Sequence, residues 1–243
     1  MSHLPRVCAA LSRLLSYPDS HTVQNAELLY VVLQSELPEA ARRIAAFGTY
    51  AEHHDLSELE EIYTSTFDIN PACALEVGWH LFGEEYSRGL FLVRMREELR
   101  KFNLPESTEL TDHLTHVLAV VASMSEEQAG RFVKACVQPA VEKMRLALSE
   151  KDSPYGDVID CLAIVLRYTW GDPQIMQPTE SGGKTPFGGD LLRDYPAANV
   201  MAGCLSPYGE PLDLVTLDLT RPECRDSSEQ PSRESLPIIT EPL

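Results

Sequence analysis

Positive charge is scarce in this chain. Its 243 residues carry 20 Lys and Arg against 37 Asp and Glu, a formal charge of −17. A nucleic-acid binder needs a basic footprint, and none is visible. Docking on an anionic membrane surface is disfavoured for the same reason. Cysteine is sparse and scattered, at positions 8, 73, 136, 161, 204 and 224, with no C-x-x-C pair. That argues against a disulfide scaffold and a zinc ribbon and points to a reducing, cytoplasmic setting. No apolar run approaches the ~18 residues of a transmembrane helix, so direct membrane insertion is not expected. The early sequence has only Arg6 as a base before Ser12, Arg13 and Ser16 interrupt its apolar stretch, which is not a signal-peptide pattern. Strand signals are nearly absent before residue 170.

What is present is helical periodicity. Val7, Leu11, Leu14 and Leu15 fall on one helix face, and Pro18 stops that helix. Further helices are predicted over 23–35 and after Leu37, where Ala41, Ile44, Ala45 and Phe47 share a face. Ser57 with Glu60 reads as a capping box opening a helix with Leu59, Ile62, Tyr63 and Phe67. The next elements are predicted over 71–82, 84–102 and 110–123. Ser125 with Gln128 reads as a second capping box, opening a helix that runs through Met144 to Leu148. A last, very apolar helix covers 155–168 and belongs at the centre. The expected fold is all-α, a single-domain bundle with short connections. The expected organisation is a helical domain over 1–170, an irregular Gly/Pro-rich segment over 171–205 and an acidic, extended tail over 206–243. Within that tail Val215, Leu217 and Leu219 alternate with polar residues, as a short strand or a docking stripe would.

Familiar chemical motifs fail on inspection. Ser181-Gly-Gly-Lys-Thr185 imitates a phosphate loop, but Pro178 stands where the first Walker glycine belongs and no strand precedes it. His113 and His116 have metal-ligand spacing without a third or fourth ligand, so surface or capping histidines are the better reading. No nucleophile elbow exists. Glu60-Glu61 and Glu84-Glu85 suit a charged helix face better than acid–base work. The sequence therefore yields no catalytic residue, no metal set and no cofactor motif.

The informative stretch is 61–101. Tyr63 and Phe67 make one aromatic face, and Asp68 follows at the helix end. Trp79, His80, Phe82 and Tyr86 crowd around Gly83, which is expected to end one helix, with Glu84 and Glu85 in the first turn of the next. For any single residue, core aromatics and capping acids are the slightly better reading. As a cluster, aromatic anchors beside carboxylates suit a basic amphipathic peptide.

Tyr63-x-x-x-Phe67-Asp68, a helix ending His80-x-x-Gly83-Glu84, then Arg88-Gly89 and a long Leu/Arg helix together resemble the NarJ branch of the TorD/DmsD chaperone superfamily. Glu109-Leu-Thr-Asp-His-Leu114 is similar to that branch's Glu-Leu-Pro-Asp-x-Leu segment, with Thr111 in place of Pro. Trp79 sits where the family has another aromatic, whereas Glu76 and Gly78 stand where it often carries Tyr and Thr. The resemblance implies a cytoplasmic helical bundle that is not an enzyme. It implies binding to the immature catalytic subunit of a respiratory nitrate reductase, or of a related molybdoenzyme, through that subunit's basic N-terminal segment. The subunit would be held competent for molybdenum cofactor insertion. The expected client-binding residues are Tyr63, Phe67, Asp68, Trp79, His80, Glu84, Glu85, Tyr86 and Arg88, with Gly83 and Gly89 as structural positions.

Overall fold

The structure, a computed structural model, describes residues 3–173. Ten α-helices fill this range: α1 (Leu4–Leu14), α2 (Thr22–Leu33), α3 (Pro38–Glu52), α4 (Leu56–Tyr63), α5 (Val77–Phe82), α6 (Tyr86–Lys101), α7 (Leu114–Ser123), α8 (Glu126–Phe132), α9 (Gln138–Ser149) and α10 (Tyr155–Trp170). One π-helical turn, Thr64–Asp68, prolongs α4, and another, Val133–Val137, joins α8 to α9. The described residues contain no strand, only a single antiparallel bridge between Glu76 and His113. The fold class is all-α, as the periodicity indicates. The Ser181–Thr185 loop, the tail stripe at 215–219 and all but the first three residues of the 171–205 segment lie outside the described residues.

The helices pair around a common core. α1 packs on α2 and α7, α3 on α2 and α10, α9 on α10 and α5, and α6 on α5 and α7. Leu11, Leu15, Leu29, Ile44, Phe47 and Leu118 are fully buried within that core. Each such side chain contributes about 1.5–3 kcal/mol of transfer free energy. Val158, Ile159, Leu162, Val165 and Leu166 of α10 are buried as well, consistent with its apolar sequence.

Several boundaries differ from the periodicity, each for a local reason. Asp55, not Ser57, caps α4. Its extended backbone lets the carboxylate accept the Glu58 N–H at 2.9 Å, and the Glu58 carboxylate accepts the Asp55 N–H at 2.9 Å. Ser125 does cap α8, accepting the Gln128 N–H at 3.4 Å. The helix predicted from there does not continue evenly, because the π-turn at Val133–Val137 interrupts it. The segment 71–76 is not helical. Residues 71–73 form a turn, and at 75–77 the chain is extended, with Val77 N–H donating to the Asp112 carbonyl and Leu114 N–H to the Leu75 carbonyl, both at 2.9 Å. For the same reason α7 starts at Leu114 and not near Leu110. Glu84 and Glu85 precede α6 instead of forming its first turn, since Glu85 is extended and serves as the N-cap residue.

Candidate functional site

Two clusters emerge from the residues singled out in the sequence. The first is an aromatic core. Tyr63 and Phe67 are 4% and 3% exposed, with ring centroids 5.2 Å apart, and both rings meet Tyr155 edge-on at 5.6 and 5.0 Å. The Tyr63 hydroxyl donates to the Leu15 carbonyl at 3.0 Å, tying α4 to the end of α1. Burial pushes the Tyr63 phenol far above its ordinary range. These two side chains are therefore sealed against the bundle and offer no open face to a partner. Asp68 and Ile69 follow at the surface, and Ile69 is 73% exposed.

The second cluster sits where α5 meets α6. Gly83 ends α5 with φ +58° and ψ −129°, a backbone conformation that side chains with a Cβ rarely adopt. The turn it makes leaves Glu84, Glu85 and Tyr86 exposed at the start of α6, where the helix dipole favours the two acids. Gly89, also exposed, lies one turn into that helix.

His80 is buried. Its Nε2–H donates to the Ala74 carbonyl at 2.6 Å, and Lys143 of α9 donates to the His80 carbonyl. Burial lowers the His80 pKa against the raising effect of that hydrogen bond, with Lys143 lowering it further. His80 is thus a neutral bracket between α5 and its neighbours. Trp79 donates its indole N–H to the Pro71 carbonyl at 2.8 Å. The Arg88 guanidinium lies over its ring, 5.5 Å from the centroid.

Behind Arg88 stands Asp112, fully buried. One carboxylate oxygen, Oδ2, accepts the Gly78 N–H at 3.1 Å and lies 3.5 Å from Arg88 Nε. Neither Asp112 Oδ1 nor Arg88 Nε has a hydrogen-bond partner. Burial pushes the Asp112 carboxyl above its ordinary pKa, with Arg88 opposing. Glu76 shifts up as well, mainly by burial and further by the Asp112 charge. A Cβ on Gly78 would come within 2.6 Å of Asp112 Oδ2 and 2.9 Å of Phe91, so the position requires glycine.

Trp79, His80 and Gly83 line a groove of about 660 Å³ between α5 and α9. Pro71, Ala72 and Phe82 complete the near side. Leu146 and Ala147 of α9 face them, with Lys143 and Glu150 at the polar margins. Leu146 is 70% exposed. The groove presents an apolar floor of the size that takes one or two large side chains of a docked segment.

The structure thus brings Trp79, His80, Gly83 and Arg88 together, with Glu84–Tyr86 next to them in the chain, and places Tyr63 and Phe67 elsewhere in the core. The sequence reading gave no role to Gly78 or to Asp112, which it quoted only within the Glu109–Leu114 segment, and missed the whole α9 wall. Leu146 carried a signal: it falls off the buried Val141, Met144, Leu148 stripe. The bridging role of Asp112 had none, because its partners are 24 and 34 residues away.

Both histidines suggested as surface or capping residues are buried. His113 does cap α7, its Nδ1 accepting the Thr115 N–H at 3.3 Å. His116 Nε2 accepts the Ser107 N–H at 3.1 Å, and its Nδ1–H donates to the Leu110 carbonyl at 2.9 Å. Among the described residues no group of three or more His, Cys, Asp or Glu is arranged for a metal ion. Cys8, Cys73, Cys136 and Cys161 are free and buried, and burial pushes the Cys8 and Cys136 thiols up to about 12. Among the same residues no helix is long and apolar enough to cross a membrane.

These features define an all-helical bundle with an open groove on one side and no metal cluster among its described residues. The chain belongs to the nitrate reductase delta subunit family, whose model matches residues 33–159, just over half of the chain. The match spans the α5–α9 groove and the Asp112 bracket. No curated protein matches the chain. Family membership supports an assembly role in general and not a catalytic one.

Proposed function

We propose that this protein is a client-specific assembly chaperone in the cytoplasm. It binds the immature catalytic subunit of a respiratory nitrate reductase through that subunit's basic, partly apolar N-terminal segment. It keeps the subunit competent for molybdenum cofactor insertion and delays its docking at the membrane. The chaperone itself catalyses nothing and holds no cofactor.

The observation that carries this reading is the α5–α9 groove within the family-matched residues. An apolar floor with Leu146 left in solvent is joined, through Gly83, to the exposed Glu84 and Glu85. Micromolar affinity requires about 8 kcal/mol net. Exposed ion pairs supply only about 0.2–1 kcal/mol each, so apolar docking must provide most of it. The carboxylates and the −17 charge of the chain act chiefly on encounter with a basic segment and on its orientation.

The direct test is binding of a labelled peptide comprising the client's N-terminal segment. Wild-type protein is expected to bind it, and Leu146→Glu to bind at least about tenfold more weakly. Equal affinity for the two proteins would remove the groove from the mechanism.

A further inference from the structure

The sequence of α2, Thr-Val-Gln-Asn-Ala-Glu-Leu-Leu-Tyr-Val-Val-Leu, is apolar on more than one side. Ala26, Leu29 and Leu33 are buried in the core, yet Leu28 is 52%, Tyr30 39% and Val31 60% exposed. A helix with apolar residues on all sides is normally covered on all sides. Single exposed hydrophobics are ordinary, but Tyr30 and Val31 are neighbours on the flank of α2 that meets α3.

Tyr30 and Val31, but not Leu28, border a groove of about 390 Å³ between α2 and α3. Tyr30 and Val31 form one wall, Ile44 and Ala45 the other. The only charged residues in its lining are Glu27 and Glu52, both carboxylates. No residue lines both this groove and the one between α5 and α9. α2 also precedes all but the first residue of the family match, which begins at its last position, Leu33.

We propose that the α2–α3 face is a second, independent docking surface, and that its occupant is a basic amphipathic helix of a partner protein. A furrow between two packed helices accepts the ridge of a third, whose apolar face covers Tyr30 and Val31. The carboxylates on the groove then meet Lys or Arg flanking that apolar face. The same charges disfavour an acidic occupant, including a second copy of this chain with its net charge of −17.

The test uses the full chain and two synthetic helical peptides, one with Leu and Lys and one with Leu and Glu at the same amphipathic spacing. Fluorescence anisotropy should show saturable binding of the Leu/Lys peptide and none of the Leu/Glu peptide. The surface variants Val31→Ser and Glu27→Gln/Glu52→Gln, with circular dichroism confirming the fold, should each weaken binding at least about tenfold. All of these measurements are made in the Leu146→Glu background, so that the other groove does not contribute, and Val93→Ser, exposed on α6 and lining neither groove, should leave binding unchanged. Several results would overturn the proposal: equal binding of both peptides, no binding of the Leu/Lys peptide in the Leu146→Glu background, insensitivity to the α2–α3 variants, or equal loss of binding in Val93→Ser. So would a dimer in sedimentation that Val31→Ser converts to monomer, since a second copy would then cover the face. The proposal stands or falls apart from the client-binding assignment, because the α5–α9 groove is disabled by Leu146→Glu while the α2–α3 groove is varied.

Discussion

The buried carboxylate of Asp112 accepts the backbone N–H of Gly78 at 3.1 Å. The Asp112 carbonyl takes the neighbouring Val77 N–H at 2.9 Å. One residue thereby satisfies two first-turn donors of α5 that the helix cannot satisfy itself. His113, next in sequence, caps α7. Arg88 on α6 closes the bracket and carries Trp79 on its guanidinium face. The wall of the α5–α9 groove is therefore set by a loop residue that does not line it.

The first prediction concerns that bracket. Gly78→Ala forces a Cβ within 2.6 Å of the Asp112 carboxylate and should destabilise the fold by about 1–3 kcal/mol, despite alanine's better helix propensity. Urea denaturation measures this. A stability equal to or above wild type would show that the carboxylate is not held as described.

The aromatic core gives a graded series. Tyr63→Ala and Phe67→Ala should each cost about 3–5 kcal/mol, as large-to-small changes in a packed core do. Tyr63→Phe should cost about 1 kcal/mol, the net value of the hydrogen bond to Leu15. Tyr155→Phe should move the other way. Its hydroxyl is buried without a partner, so removing it should be neutral or stabilising by up to about 1 kcal/mol. A clear loss in Tyr155→Phe would contradict the packing at the centre of the bundle.

Much of this fold is legible from spacing alone. The Val7, Leu11, Leu14 stripe, the stop at Gly83 and the cap at Ser125 all follow from short-range chemistry. The placement of Tyr63 and Phe67 was harder. An i, i+4 aromatic pair looks the same in sequence whether it faces a peptide or Tyr155, a residue some ninety positions away. The cap of α4 was misread because Ser57-x-x-Glu60 and Asp55-x-x-Glu58 are overlapping boxes. Only the extended backbone at Asp55 selects between them. The groove needed α5 and α9 side by side, which no local pattern specifies.

Acid pH should weaken the fold through histidine. Burial lowers the His113 pKa from 6.5 to about 4, with the nearby His116 charge adding to the shift, and His80 is lowered too. Below pH 6.5 the unfolded chain takes up protons that the folded chain refuses, so stability falls progressively as pH drops from 6.5 towards 4. At about pH 5 the His113 share is roughly 2 kcal/mol. Asp112 and Glu76 act in the opposite sense. Their folded pKa values are raised, so they favour folding as pH falls through those values towards their unfolded ones. His113→Asn, which retains a capping side chain, should flatten the loss between about pH 7 and pH 5. An unchanged pH profile would exclude His113 as its source.

Groove variants should separate binding from stability. Leu146 is 70% exposed, so Leu146→Glu should change stability by no more than about 0.5 kcal/mol while weakening client-peptide binding. The association rate of the wild type should fall as salt rises, reflecting attraction by the acidic surface. A rate independent of ionic strength would remove the steering part of the account.

The central claim is tested most directly by affinity capture of this protein from cells grown anaerobically with nitrate, with partners identified by mass spectrometry and molybdenum measured in the same sample. The account predicts a nitrate reductase catalytic subunit that lacks molybdenum. Capture of no molybdoenzyme subunit with expression confirmed, or of only the mature, molybdenum-loaded enzyme, would contradict it.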